Sequence, residues 1–267
     1  MKRMIVLPLL CSAIASSQTV RVLKFSEAKE FRMGKVISKR IVHPEIGARQ
    51  ITLNYSPTVA GHEFSQHVHD ASDDTIVIFK GEADLRQGDS RHRFKAGQSV
   101  FVPAGQIHGT ITMADGTEMI SFQTPPDMAL YTGSRDSSKA GAGPPKGVIT
   151  PGAVKFVSFA AKNGLFMHPG TGAKRIAAGY RRLASGERFT HEVNAGAEAV
   201  IFVRQGAVQV SIAGGSQTAG ERDAVFAQGP AKLELRNMSS SEAIIVHALA
   251  PPQSVMPFSF AYPKHFV

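Results

Sequence analysis

Apolar and polar residues alternate along many short stretches of this chain. In the segment RQITLNY, Ile51, Leu53 and Tyr55 are separated by polar residues, a period of two that predicts a half-buried β-strand. The β-branched runs TIVIF and SVFV predict further strands, and 25 glycines and 15 prolines can supply the turns between them. The pattern therefore predicts an all-β chain rather than a helical one.

The strand pattern occurs twice along the chain. At an offset of 125 residues, the segment AGHEFSQHVHDASDDTIVIFKGEADL aligns with SGERFTHEVNAGAEAVIFVRQGAVQV. The matched pairs include Gly61 with Gly186, Phe64 with Phe189, Ile78 with Val203, and Gly81 with Gly206. Self-similarity at a fixed offset indicates that one folding unit is present twice.

Three histidines and one carboxylate stand at the ends of predicted strands in the first copy. His67 and His69 are two residues apart, so in an extended strand their side chains lie on the same face. Asp74 directly precedes the run TIVIF, and His108 follows the turn PAGQI. Imidazole and carboxylate donors on neighbouring strands suit a first-row divalent metal. The sequence therefore predicts a metal site made of these four residues.

The spacing of these residues resembles the two consecutive signatures of the cupin superfamily. The chain reads G-x5-H-x-H-x4-D-x6-G, beginning at Gly61, and then G-x5-P-x-G-x2-H, ending at His108. Two positions differ from the usual pattern, because Asp74 stands where cupins usually carry Glu and Thr112 replaces a frequent Asn. An Asp side chain is shorter than a Glu side chain, so the neighbouring Asp73 is an alternative ligand.

The resemblance implies two tandem cupin domains, each a jelly-roll β-barrel. The metal ligands are not repeated in the second copy. At the same offset, positions 67, 69, 74 and 108 become Glu192, Asn194, Ala199 and Leu233. Since alanine and leucine side chains cannot coordinate a cation, we expect a bicupin with a metal site in the N-terminal cupin only. His191 and Glu198 lie nearby in the second copy, without a spaced set of partners.

We expect four segments along the chain. These are a signal peptide at 1–15, an N-terminal cupin with the metal site at 16–136, a linker at 137–150, and a degenerate C-terminal cupin at 151–267. Two cations, an apolar stretch and the motif Ala13-x-Ala15 are typical of a secretory signal, which predicts a secreted or periplasmic protein. An unprocessed first strand in a cytoplasmic protein is the alternative. Glycine, proline and serine dominate the linker.

Composition and charge limit the classes of ligand and partner that the chain could bind. Cys11 is the only cysteine and lies in the predicted signal peptide, so the mature chain would have no disulfide and no thiolate ligand. The net charge is +9, but the cations are scattered, with no basic helix or aromatic stripe, which argues against a nucleic-acid partner. The signal segment is too short to span a membrane. The excess of positive charge instead favours a small anionic substrate.

The barrel interior would form the substrate site. We expect it to be shared by Tyr55, Ile76, Ile78, Phe101 and Gln123. Of these, Tyr55 and Gln123 are candidate catalytic residues that would position substrate, although each is also common as a packed barrel residue. One divalent transition metal, Fe(II), Mn(II), Ni(II) or Zn(II), is the expected cofactor.

The resemblance implies a metal-dependent enzyme, first of all a dioxygenase-type oxidoreductase. Its substrate would be a small oxygen-bearing organic molecule chelated to the metal. A redox-neutral cupin, such as a decarboxylase, isomerase or hydrolase of a small organic acid or sugar, is an alternative. A non-enzymatic exported ligand-binding cupin is another. Cupins commonly pair through their outer sheets, so a homodimer is a further expectation.

Overall fold

A computed structural model describes residues 20–159 and 163–253, and it is built almost entirely from antiparallel strands. The strands of the first half are β1 (Val20–Leu23), β2 (Lys29–Met33), β3 (Val36–Val42), β4 (Leu53–Thr58), β5 (Glu63–His67), β6 (Asp73–Lys80), β7 (Glu82–Gln87), β8 (Ser90–Lys95), β9 (Gln98–Val102), β10 (His108–Thr112) and β11 (Thr117–Thr124). The predicted signal peptide lies outside the described residues.

The second half repeats this order of strands after the predicted linker. Its strands are β12 (Lys155–Ser158), β13 (Gly164–Met167), β14 (Ala177–Leu183), β15 (Arg188–Val193), β16 (Glu198–Gln205), β17 (Val208–Ile212), β18 (Gly215–Ala219), β19 (Ala224–Gln228), β20 (Ala231–Arg236) and β21 (Ala243–Ala250). The described residues also form single helical turns, which are α1 (Met128–Tyr131) and 3-10 turns at Phe25–Glu27, Pro44–Ile46 and Pro169–Thr171. No helix among them is both long and apolar enough to cross a lipid bilayer.

Each half is a sandwich of one larger and one smaller sheet. In the first half the larger sheet has the order β12-β9-β6-β11-β4-β3-β2, and the smaller sheet has the order β5-β10-β7-β8. In the second half the orders are β1-β19-β16-β21-β14-β13 and β15-β20-β17-β18. The prediction of an all-β chain with two tandem jelly rolls is therefore confirmed.

The two halves exchange one strand each. Strand β1, from the start of the chain, pairs with β19 of the second half, with Val20 opposite Ala227. Strand β12, which follows the predicted linker, pairs with β9 of the first half, with Lys155 opposite Phe101. Each larger sheet is thus completed by a strand from the other half. The predicted domain bounds stay a prediction, and this exchange is a feature that they do not describe.

The larger sheets of the two halves pack against each other through an apolar core. The ring of Phe202 lies 6.1 Å from that of Tyr55 and 5.8 Å from that of Phe79, and it is stacked on both. Phe101 belongs to the same core. The expectation that Tyr55 and Phe101 share the interior of the first barrel is therefore wrong. A period of two assigns residues to two faces of a strand, but it does not say which face is inward.

The opposite faces of the same strands line the interior of the first barrel. Ile76 and Ile78 lie there together with Leu85, Phe94 and Met119, as part of one buried cluster. The prediction that Ile76 and Ile78 face inward is confirmed. Asp74 has the same parity on β6 as these two isoleucines, so the strand also turns this carboxylate inward.

Candidate metal centre

The four predicted ligands come together inside the first barrel. One donor atom from each of His67, His69, Asp74 and His108 lies within 4.8 Å of the others, and all four side chains are buried. His67 ends β5, His69 follows two residues later, Asp74 is the second residue of β6, and His108 begins β10. The structure therefore brings together residues that are separated by up to 41 positions in the sequence.

A close approach of two strands places His108 beside His67. The two histidines are partners across β5 and β10, and the register shifts by a bulge between His108 and Thr110. A Cβ atom on Gly109 would lie 2.7 Å from the carbonyl oxygen of Phe64 and 2.9 Å from a backbone nitrogen of β5. No side chain fits at that distance, so glycine at position 109 permits the approach that aligns these imidazoles.

Each of the three imidazoles is oriented by a hydrogen bond at Nδ1. The Nδ1 atoms of His67 and His108 lie 2.9 Å and 3.0 Å from the carbonyl oxygens of Ser65 and Gln106. His69 Nδ1 lies 2.8 Å from the carboxylate Oδ2 of Asp127. Because these partners are acceptors, each Nδ1 carries the proton and each Nε2 presents its lone pair.

The lone pairs converge on a common region that suits a cation. His67 Nε2 and His69 Nε2 are 3.1 Å apart, and His108 Nε2 is 3.5 Å from Asp74 Oδ2. His108 Nε2 and Asp74 Oδ1 are buried and have no hydrogen-bond partner among the described residues. A bound divalent metal would satisfy these atoms, so three imidazoles and one carboxylate fit such an ion.

Burial keeps His67 in its metal-binding protonation state. Desolvation, reinforced by the nearby imidazoles of His108 and His69, lowers the pKa of His67 well below its ordinary value. His67 is therefore neutral at physiological pH, which is the form that binds a metal.

Asp74, rather than Asp73, supplies the carboxylate. Asp73 Oδ1 accepts hydrogen bonds from the backbone N–H of Ala104 at 3.0 Å and from the guanidinium of Arg175 at 3.3 Å. Asp73 is next to Asp74 along an extended strand, so the two side chains leave the sheet on opposite faces. The alternative that the sequence left open is thus resolved by the geometry in favour of Asp74.

Asp127 supports His69 from outside the barrel strands, and sequence reasoning missed it. Its Oδ2 atom accepts from His69 at 2.8 Å and from Nε of Arg135 at 3.0 Å, and Arg135 also contacts Asp70. Burial acts to raise the pKa of Asp127, but the hydrogen bonds and charges of His69 and Arg135 outweigh it and lower that pKa. Asp127 therefore stays ionised and fixes the ring of His69.

A cavity adjoins the ligands. It is small, with a volume of about 40 Å³, and is lined by His67, Asp74 and His108 together with Ser56, Phe64, Ile76, Gly109, Thr110, Met119, Ile120 and Ser121. Gln123 lies beside the ligands as predicted, with Nε2 3.2 Å from His69 Nε2. Tyr55 lies on the other face of the sheet, so the geometry gives this candidate no route to substrate in the cavity.

The corresponding place in the second half is mainly apolar. Because the bulge is specific to the first half, His191 rather than Glu192 lies opposite Leu233, as His67 lies opposite His108. A small cavity there is lined by Phe189, His191, Ala199, Ile201, Leu233, His247, Ala248 and Leu249. Burial lowers the pKa of His191 to about 4. That the second half holds no metal stays a prediction.

Known proteins agree with this fold. Residues 58–121, which carry all four ligands, match the Cupin_2 family, described as a cupin domain. Residues 58–121 form a cupin domain. No curated protein sequence matches the chain significantly.

Solved structures extend the likeness from this cupin domain to both halves. The Mn(II)-containing oxalate decarboxylase of Bacillus subtilis aligns with a TM-score of 0.65 and 10% identity over 90% of this chain and 78% of that one. The oxalate decarboxylase of Lactobacillus farciminis, in a formate complex, aligns with a TM-score of 0.66 and 15% identity over 89% and 87%. The bacterial pirin YhhW of Escherichia coli, in complex with nickel(II), gives 0.65 and 17% over 88% and 100%. At identities this low, the alignments show a shared fold and nothing further.

Proposed function

We propose that the cupin domain binds one divalent transition metal and is an oxidoreductase of the dioxygenase kind. The observation that carries this proposal is the convergence of four buried donors beside a cavity in the barrel. With three or four protein ligands, an octahedral ion retains two or three exchangeable positions. A small organic substrate with two oxygen donors would occupy two of them.

Mn(II), Ni(II) and Fe(II) are the metals that we favour. Imidazole-rich sites with a carboxylate suit these ions, and two structures of the same fold contain manganese or nickel. A bound metal of this kind supplies a Lewis acid and a binding place for substrate and dioxygen. The protein contributes three imidazoles, a fixed orientation for each of them, and a cavity wall with an apolar part.

The walls of the cavity indicate the class of substrate. Phe64, Ile76 and Met119 make much of the lining apolar, and Ser56 and Ser121 add hydroxyl groups. Of the described residues that line it, none is lysine or arginine, so only the metal would balance a negative charge. We therefore propose a neutral or singly charged substrate, such as a phenol or a diketone, in preference to a dicarboxylate.

Oxygen uptake after anaerobic loading with Fe(II), Mn(II) or Ni(II) tests the proposal. The protein is mixed with a panel of phenols and diketones, and we expect uptake with at least one of them. A His67→Ala variant treated in the same way is the control, because it lacks a ligand and should show only background uptake. Equal uptake by both proteins across the panel would contradict the proposal.

Redox-neutral decarboxylation is the second candidate, and the likeness of both halves to oxalate decarboxylases favours it. Release of carbon dioxide from oxalate by the Mn(II)-loaded protein, without matching oxygen consumption, would support this candidate. Turnover with Zn(II) in the absence of oxygen would point to other redox-neutral chemistry. A protein that binds less than a tenth of an equivalent of metal after mild purification would instead be a ligand-binding cupin.

We also propose that the protein is exported and forms a homodimer. The sequence of residues 1–15 supports export, and the resemblance to cupins supports pairing. The amino terminus and the mass of the protein purified from its native host would test both. An intact Met1, or a monomeric mass in solution, would contradict export or pairing respectively.

A further inference from the structure

Gln123 is a buried polar side chain whose hydrogen bonds are only half satisfied. It lies on β11 directly opposite Asp74 of β6, and 1% of it is exposed. Its Nε2 atom is 3.2 Å from His69 Nε2, and its Oε1 atom has no hydrogen-bond partner among the described residues. A buried carbonyl without a partner is destabilising, so a packing role alone does not explain an amide here.

The contact between Gln123 and His69 is incompatible with a bound metal. His69 Nδ1 donates to the carboxylate of Asp127, so the lone pair of this ring is on Nε2. A metal held by the four ligands takes that lone pair, and the amide of Gln123 then loses its acceptor. The amide would then lie beside the ion and within reach of whatever else the ion binds, since Gln123 and Asp74 are neighbours across the sheet.

The second half of the chain offers an internal comparison. Leu249 lies opposite Ala199 there, in the same relation that Gln123 has to Asp74 in the first half. The copy that has lost the carboxylate has therefore also lost the amide, although the strands pair in the same way. Leucine is sufficient for packing at this place, so the amide is associated with the metal ligands.

We propose that Gln123 positions the non-protein ligand of the metal by a hydrogen bond from its amide. It would donate Nε2–H to an oxygen of the bound substrate, and its Oε1 atom would accept from water or from a substrate hydroxyl. This inference rests on the proposed metal site, and it does not depend on which reaction follows. Gln123 would select substrates with an acceptor atom next to the metal.

Azide binding to the Co(II)-loaded protein tests this inference without any turnover. Azide is an anion that binds metals and accepts hydrogen bonds, and its binding changes the visible spectrum of Co(II). Gln123→Leu copies the residue of the second half, and Gln123→Met keeps the length of the side chain in case the leucine variant does not fold. Gln209→Leu makes the same replacement at an exposed position of β17 and is the matched control.

We expect both Gln123 variants to bind azide about 10-fold more weakly than the wild type, as for the loss of one hydrogen bond to a charged group. Their Co(II) affinity and azide-free spectra should equal those of the wild type and of Gln209→Leu. Unchanged azide affinity would overturn the inference, as would wild-type protein that binds no azide. A weakened Co(II) affinity with an altered azide-free spectrum would also overturn it, because Gln123 would then be a metal ligand.

The test separates this inference from the proposed function. Absence of oxygen uptake with every substrate, combined with the expected azide difference, would contradict the dioxygenase proposal and support the role of Gln123. Oxygen uptake with equal azide affinity in wild type and variants would support the dioxygenase proposal and contradict the role of Gln123.

Discussion

Asp73 and Glu198 occupy the same place in the two halves, and each is hydrogen-bonded to the opposite half. Each is the first residue of its strand, β6 or β16. Asp73 Oδ1 accepts from the guanidinium of Arg175 at 3.3 Å, and Glu198 Oε2 accepts from the backbone N–H of Gln50 at 2.8 Å. The two carboxylates thus join the halves, and the next residue of β6, Asp74, faces the metal site.

This relationship predicts different effects for substitutions at two adjacent aspartates. Loss of a residue that only supports a metal ligand typically lowers metal affinity about 10- to 100-fold. Asp74→Asn removes a proposed ligand itself and should lower the affinity for a divalent metal by at least as much. Asp73→Asn should leave that affinity unchanged and should lower the stability, because it weakens the contact with Arg175. Competition with a chromophoric chelator measures the affinity. Equal losses in the two variants would contradict the assignment of Asp74 as the ligand.

The hydrogen bond between Asp127 and His69 predicts a smaller effect on metal affinity. Asp127→Asn should lower metal affinity by about 10- to 100-fold, because an amide does not fix the imidazole as a carboxylate does. The loss should be smaller than that caused by His67→Ala. Asp89→Asn, at an exposed position on the turn before β8, is the control. Metal affinity equal to that of the control would show that the carboxylate is dispensable.

The ligands were predictable from sequence because their spacing is local to strands. His67 and His69 share a face through the period of two, and His108 follows a turn marked by Pro103 and Gly105. Asp127 was not predictable, because its bond to His69 joins residues 58 positions apart and no repeated pattern links them. The run of glycine, proline and serine identified a non-strand segment, but not its neighbours in space.

The fold, like the site, was predictable only in part. The duplication predicted two jelly rolls, since each copy carries the same alternation of strands and turns. The exchange of β1 and β12 depends on pairing between distant segments, and a strand pattern contains no information about its partner. Tyr55 was assigned to the wrong face for a related reason. The bulge near Thr110 also shifted the alignment of the copies, so that His191 rather than Glu192 corresponds to His67.

Glu198 predicts a test of the contact between the halves. Glu198 is 3% exposed, and its carboxylate accepts from the backbone N–H groups of Arg49, Gln50 and Ile51. Glu198→Ala should lower the free energy of unfolding by about 2–3 kcal/mol, since donors lose a charged acceptor. Urea unfolding of the metal-free protein measures this. Glu192→Ala, at an exposed position of β15, should change it by less than about 0.5 kcal/mol. Similar losses in both would argue against a joining role.

Asp136 predicts how stability depends on pH. This carboxylate accepts from Ser65 Oγ at 2.6 Å and from the backbone N–H of Gly34 at 3.1 Å, so it anchors β5 next to His67. Burial acts to raise its pKa, but hydrogen bonds from Ser138, Ser65 and Gly34 outweigh burial and lower the pKa to about 2.

A carboxylate whose pKa is lower in the folded state stabilises the fold above its ordinary pKa, and this contribution is lost as the pH falls. The contribution of Asp136 should be complete above about pH 5 and disappear between about pH 4 and pH 2. Asp136→Asn should therefore lower the stability by about 2 kcal/mol at pH 7, with a smaller difference at pH 3. Urea unfolding of chelator-treated protein at both pH values measures the difference. A difference that is the same at pH 7 and pH 3 would contradict the role of the charge, because loss of packing alone does not depend on pH.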